Sequence, residues 1–162
     1  MRKNVKKQLA LRVLSTAALM AMVSSIATAA FAEEYDLNKG SVTVETKDDG
    51  ITYVTQKNTE INNHPDSTGV TITSNGDPTS NTITVNTAEN QTTNVTLENV
   101  DIEQPDSHWS GNTDPAPIEI KGNGNTKLEL NGNNTVLSGN SNHAGIEKAD
   151  VNGTGTLTIK DD

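Results

Sequence analysis

From Asn94 to Ile159 the chain repeats one short phrase. Two apolar residues flank a single polar one and a turn rich in Asn or Gly follows, as in NVTLEN, PIEIKG, TKLELNGN and GTLTIKD. Alternation with period two marks strands that bury one face. Strands this short bury only a thin strip each, and one Trp, two Tyr and one Phe in 162 residues leave little bulk to fill a wide core. A chain under these limits gains a core by coiling, so that equivalent short strands stack on one another.

The offsets between phrases point the same way. Val95 and Leu97 recur 33 residues on as Leu128 and Leu130, and these align with Leu157 and Ile159 a further 29 residues on. Ala116-Pro117-Ile118-Glu119 recurs as Ala144-Gly145-Ile146-Glu147, 28 residues on. A weaker column links Val100-Asp101-Ile102 to Thr135-Val136-Leu137. Three strands per coil at this period predict an all-β fold, a three-sided right-handed parallel β-helix of about three coils. Its expected extent is residues 41–162, most regular over 70–159, with Val95, Leu97, Ile118, Leu128, Leu130, Ile146, Leu157 and Ile159 inward. A β-sandwich fits the turn spacing in part, but not the paired columns or the scarcity of aromatics. Asn99, Asn133 and Asn134 fall at turns, where Asn tolerates left-handed backbone and its amide can bond to the next coil.

Upstream, SVTVET and ITYVTQ flank the turn Asp48-Asp49-Gly50, and GVTITS and NTITVN flank Asn75-Gly76-Asp77-Pro78. These four stretches read as strands. Residues 57–69 are polar and contain Pro65, which predicts a loop, and residues 33–40 read as a leader. Only Lys160, Asp161 and Asp162 follow the last strand. The final coil is therefore expected to present an uncovered apolar end, met by further repeats downstream or by end-to-end association.

Residues 1–32 read as an export signal, with an uncleaved membrane anchor over Val13 to Ala32 as the alternative. Arg2, Lys3, Lys6, Lys7 and Arg12 precede an apolar stretch from Val13 to Ile26, and Ala30-Phe31-Ala32 offers a cleavage site before Glu33. The chain has no Cys, hence neither a lipoprotein anchor nor disulfides. After Ala32 there remain seven Lys and no Arg against 21 acidic residues, a net charge of −14. Such a surface repels nucleic acid and anionic lipid, so neither is an expected partner once the signal is cleaved. The expected location is secreted, at the cell surface.

The segment from Glu103 to Pro117 departs from the repeat and holds the single Trp. Trp109, with His108 beside it and Asp106 and Asp114 on either flank, is a candidate carbohydrate site. Sugar CH groups stack on an exposed ring while acids bond the hydroxyls. Glu119 and Glu147 occupy one column, which places two carboxylates about 4.8 Å apart in a parallel ladder. Like charges that close call for a cation, and hard oxygen ligands suit Ca²⁺, with Asp101 as a further donor. Lys121 and Lys148 lie near enough to neutralise the pair without metal. His64, His108 and His143 share no metal-ligand spacing, and GNGN and NGTGTG are turns rather than phosphate cradles.

NVTLENVDIE, the API-E and AGIE strands, LELNGNNTVLSG and GTGTLTI, within residues 70–159, resemble the pectate-lyase-like β-helix superfamily. More narrowly, they are similar to the secreted β-helical carbohydrate-binding domains of Gram-positive bacteria. That resemblance implies an extracellular polysaccharide binder, often with calcium on its coil faces. Lyases of the superfamily use clustered Asp for calcium and an Arg at the scissile bond, whereas this chain has no Arg after Arg12. The related hydrolases carry N-T-D, D-D, G-H-G and R-x-K in order. Asn112-Thr113-Asp114 matches the first, but no G-H-G or R-x-K follows. The sequence therefore reads as a non-catalytic polysaccharide-binding protein and not an enzyme, with acidic glycans bridged by Ca²⁺ as one ligand class. A structural stalk or adhesin segment of a longer cell-surface protein is the alternative.

Overall fold

The computed structural model describes residues 32–106, 115–149 and 153–161. Residues 32–162 form a compact unit with its own core. Apart from one 3₁₀ turn at Leu37–Lys39, the regular structure among the described residues is all β. In chain order the strands are β1 (Glu33–Asp36), β2 (Val42–Thr46), β3 (Thr52–Gln56), β4 (His64–Asp66), β5 (Val70–Thr73), β6 (Pro78–Thr79) and β7 (Ile83–Thr87). They continue with β8 (Thr92–Glu98), β9 (Asp101–Glu103), β10 (Ile118–Lys121), β11 (Asn125–Asn131), β12 (Thr135–Leu137), β13 (Ile146–Lys148) and β14 (Leu157–Lys160).

Three sheets result. One is five-stranded, β1-β5-β8-β11-β14; one is six-stranded, β13-β10-β7-β2-β3-β4; one is three-stranded, β12-β9-β6. From β5 onward the chain visits the five-, three- and six-stranded sheets in strict rotation, and each visit pairs parallel with the one before. Period-two alternation turns one face of every strand inward. Val70, Val95 and Leu128 share a column, as do Ile72 and Leu97. Val42, Ile83 and Ile118 share another, beside Val44, Val85 and Ile120. All of these are at most 2 % exposed, each stabilising the fold by roughly 1.5–3 kcal/mol.

Two of the columns read from the sequence appear in register: Val95 opposite Leu128 with Leu97 opposite Leu130, and Ile118 opposite Ile146 with Glu119 opposite Glu147. The third pairs the expected strands, with Asp101 opposite Thr135. The last strand differs. Ile159 lies opposite Leu128, and Leu157 opposite Thr126, two residues from the expected alignment. A slip of two keeps every side chain on its face, so alternation alone cannot choose between the registers. Asn125 does choose, because its Oδ1 accepts from Thr156 N at 3.0 Å and Thr156 Oγ1 at 2.8 Å.

Other expectations are corrected. Residues 33–40 are no loose leader: β1 pairs with β5, and Tyr35 and Leu37 are buried. Residues 57–69 are not all loop either, since β4 runs antiparallel to β3 with Pro65 opposite Tyr53. The missing Pro N–H is tolerated because β4 is an edge strand. The β2-β3-β4 part is thus an antiparallel extension of an otherwise parallel sheet. Of the expected inward stripe, Leu130, Ile146 and Leu157 are only partly buried and Ile159 is 47 % exposed, because no described strand covers that end of the stack.

The corners follow from their residues. Asn99 adopts φ 50°, and its Oδ1 accepts from Asn133 N at 3.1 Å, while Asn134 Oδ1 accepts from Val100 N at 2.9 Å. Side-chain amides thereby tie one coil's turn to the next, as expected. At the corner between the six- and five-stranded sheets, an added Cβ at Gly124 would strike the Ala88 carbonyl, and one at Gly155 the Gly124 carbonyl. Only glycine lets these backbones stack so closely.

Candidate functional site

The outward face of the six-stranded sheet carries two rows of polar side chains. The alternation that buries Val42, Val44 and Val54 turns Tyr53, Glu45, Asn86 and Lys121 out. These four stand opposite one another on β3, β2, β7 and β10. At a strand spacing of about 4.8 Å they form a straight row: phenol, carboxylate, amide and ammonium. A parallel row holds Thr55, Thr43, Thr84, Glu119 and Glu147.

Neighbouring side chains hold the first row in place. Asn86 Nδ2 donates to Glu45 Oε1 at 3.4 Å. Lys47 Nζ sits 4.2 Å over the Tyr53 ring, donates to Asn63 Oδ1 at 2.9 Å, and lies 3.8 Å from Glu45 Oε2. The Tyr53 hydroxyl donates to Asp49 Oδ2 at 3.4 Å; loss of water contact and then the Asp49 charge raise its pKa. A shallow groove of about 380 Å³ runs along the turns beside this row. Its walls include Glu45, Lys47, Asp48, Asn86, Glu89 and Asn123, which supply both donors and acceptors.

The second row holds the two glutamates expected as calcium ligands. Glu119 and Glu147 do stack, but Lys121 Nζ lies 2.8 Å from Glu119 Oε2, and His143 Nδ1 lies 2.8 Å from Glu147 Oε2. Lys148, expected as the second neutralising cation, instead directs Nζ to the Gly122 carbonyl at 3.5 Å. Asp101 sits in the three-stranded sheet, away from both glutamates. Its Oδ1 is buried without a hydrogen-bond partner, yet one oxygen falls far short of the six to eight that Ca²⁺ takes. Among the described residues, no three His, Asp or Glu side chains converge as metal ligands would.

Of the carbohydrate candidates, Asp106 is exposed at the end of the three-stranded sheet's β9 segment, whereas His108, Trp109 and Asp114 lie outside the described residues. The sequence reading passed over Tyr53. Its signal was available, since inward Val54 in ITYVTQ places the neighbouring Tyr outward.

A second polar cluster ties β1 to β4. Tyr35 is buried, and its hydroxyl lies 2.9 Å from Glu33 Oε2 and 3.2 Å from Asp66 Oδ2. Burial and then its bond to Glu33, together with the two carboxylate charges, push the Tyr35 hydroxyl far above its usual pKa. The Tyr35 bond and then His64, 3.1 Å away, hold the Glu33 carboxyl below the usual range. Asp66 Oδ1 accepts from Thr68 N, Thr68 Oγ1 and Gly69 N. With the Tyr35, Glu33 and Asp66 oxygens bonded to partners within the protein, this cluster is a clasp between two sheet edges.

Comparison with models of protein families, with curated proteins and with solved structures returned no match.

Proposed function

We propose that this protein is an exported, non-catalytic polysaccharide-binding domain built as a right-handed parallel β-helix. The observation that supports it is the row Tyr53–Glu45–Asn86–Lys121 beside the groove. A sugar chain presents hydroxyls along its length and needs alternating donors and acceptors on a surface that does not deform. Strand-spaced side chains on a laddered sheet supply that, and Tyr53 adds an apolar edge. The rotation of strands through three sheets supports the β-helix.

The net charge of −14 favours neutral chains bound directly. The test is retention on a glycan array, with and without chelator. Retention that survives chelation is the expected result, retention lost with chelator would favour calcium-bridged acidic glycans, and silence across the array would defeat the reading.

A further inference from the structure

The turn Asp48-Asp49-Gly50 separates two cavities. On one side runs the groove beside the Tyr53 row, with Lys47 and Asp48 in its wall. On the other, Ile51 and Thr52 line a second cleft of about 350 Å³ together with Ser67, Val70, and Thr92 and Asn94 of β8. Hydrogen bonds fix the turn between them. Asp49 Oδ1 accepts from Ile51 N at 2.9 Å on the cleft side, and its Oδ2 accepts from the Tyr53 hydroxyl at 3.4 Å on the row side. Gly50 N donates to the Lys47 carbonyl at 2.9 Å, and the Thr46 and Thr52 hydroxyls meet at 2.9 Å. One turn therefore sets the position of the cleft against the row.

The lining selects the class of ligand. Asp66 is the one charged residue in it, and its oxygens are engaged: Oδ1 accepts from Thr68 and Gly69, and Oδ2 lies 3.2 Å from the Tyr35 hydroxyl. An anion would find no cation there, and a cation no free carboxylate. The Ser67 and Thr92 hydroxyls and the Asn94 amide, by contrast, bond to no other described residue. Each of these groups both donates and accepts, as the hydroxyls of a sugar do. Ile51, 42 % exposed, adds apolar surface for ring CH groups. The volume lies at the lower end of the roughly 300–1,000 Å³ usual for small-ligand sites, which suits one sugar ring and not a chain.

We propose that this cleft binds a single neutral sugar unit, as a second site across the turn from the row that holds the extended chain. The class of ligand rests on the glycan reading, whereas the cleft and its unpaired polar groups are separate from that row.

Amide shifts of the isotope-labelled protein, followed as glucose, galactose, mannose or N-acetylglucosamine is added singly, test this. The expected result is saturable shifts with at least one sugar at Gly50, Ile51, Ser67, Gly69, Thr92 and Asn94, with Asn86 and Lys121 unmoved. Asn94→Ala should weaken that binding at least about tenfold. Ser67→Trp, which fills the cleft from an exposed position, should abolish it, while both variants still retain the polymeric glycan. Shifts with none of the four sugars, shifts at Asn86 and Lys121 instead, or binding indifferent to both substitutions would overturn the proposal, even where the array retains a polymer. The glycan reading itself falls only if the array is silent. The shift pattern of the unsubstituted protein decides the matter even if a variant fails to fold.

Discussion

Thr93 donates its hydroxyl proton to Thr46 Oγ1 across 2.6 Å in the interior of the stack, joining residues 47 apart in the chain. The bond belongs to a line of hydroxyls. Thr46 also meets Thr52 at 2.9 Å, and Thr87 meets both Thr93 at 2.7 Å and Thr126 at 3.2 Å. Thr46, Thr87, Thr93 and Thr126 are at most 2 % exposed, so this seam runs through the corner where the six- and five-stranded sheets meet. A hydroxyl both donates and accepts, which lets one residue type satisfy itself from coil to coil.

Thr93→Val keeps the shape and removes the central link. It should destabilise the unit by roughly 1 kcal/mol, because Thr46 keeps Thr52 and Thr87 keeps Thr126. A cycle with Thr46→Val, read by denaturant melts, should give a coupling of at least about 0.5 kcal/mol. Strict additivity would mean the hydroxyls do not act together.

Burial depth should decide the cost of truncation. Leu97 is fully buried between Ile72 and Leu130, so Leu97→Ala should cost about 2–5 kcal/mol. Ile159 continues the column of Val95 and Leu128 but stands 47 % exposed, so Ile159→Ala should cost under about 0.5 kcal/mol in the monomer. Equal costs at the two sites, measured at low concentration, would mean that Ile159 is covered.

Stability should fall at both pH extremes through the Tyr35 clasp. The Tyr35 pKa is raised, so its contribution is present below the unfolded value near 10 and is lost as pH climbs beyond it. Glu33 is depressed, so its contribution is present above about 4.3 and is lost as pH falls through the lower folded value. Tyr35→Phe should cost roughly 1.5–3 kcal/mol at neutral pH and flatten the alkaline limb. A variant melting profile parallel to that of the unsubstituted protein above pH 10 would show that Tyr35 does not carry this dependence.

The repeat made much of the fold legible. Val95/Leu97 and Ile118/Glu119 recur with the same apolar–polar phrasing, and they pair as their spacing implies. Leu157 and Ile159 were misaligned because a shift of two residues leaves inside and outside unchanged, and only the Asn125–Thr156 bonds single out one register. The short strand β4 was hidden by Pro65, which signals a break until its position at an edge is known. The Tyr35–Asp66 clasp spans 31 residues and the Thr93–Thr46 bond 47, and no local pattern announces either. The candidate face was half visible. Glu119 and Glu147 shared a column on sight, but Tyr53, Glu45, Asn86 and Lys121 come together only once β3 is folded back on β2.

The most direct test of the central claim is affinity for the best-retained glycan, compared across the unsubstituted protein, Tyr53→Ala and Asn86→Ala. Both side chains point outward from strands whose inward neighbours hold the core, so far-UV spectra and melting temperatures should barely change. Each substitution should weaken binding at least about tenfold, as loss of one anchoring contact does. Undiminished affinity in both folded variants would contradict the assignment of the glycan to this face.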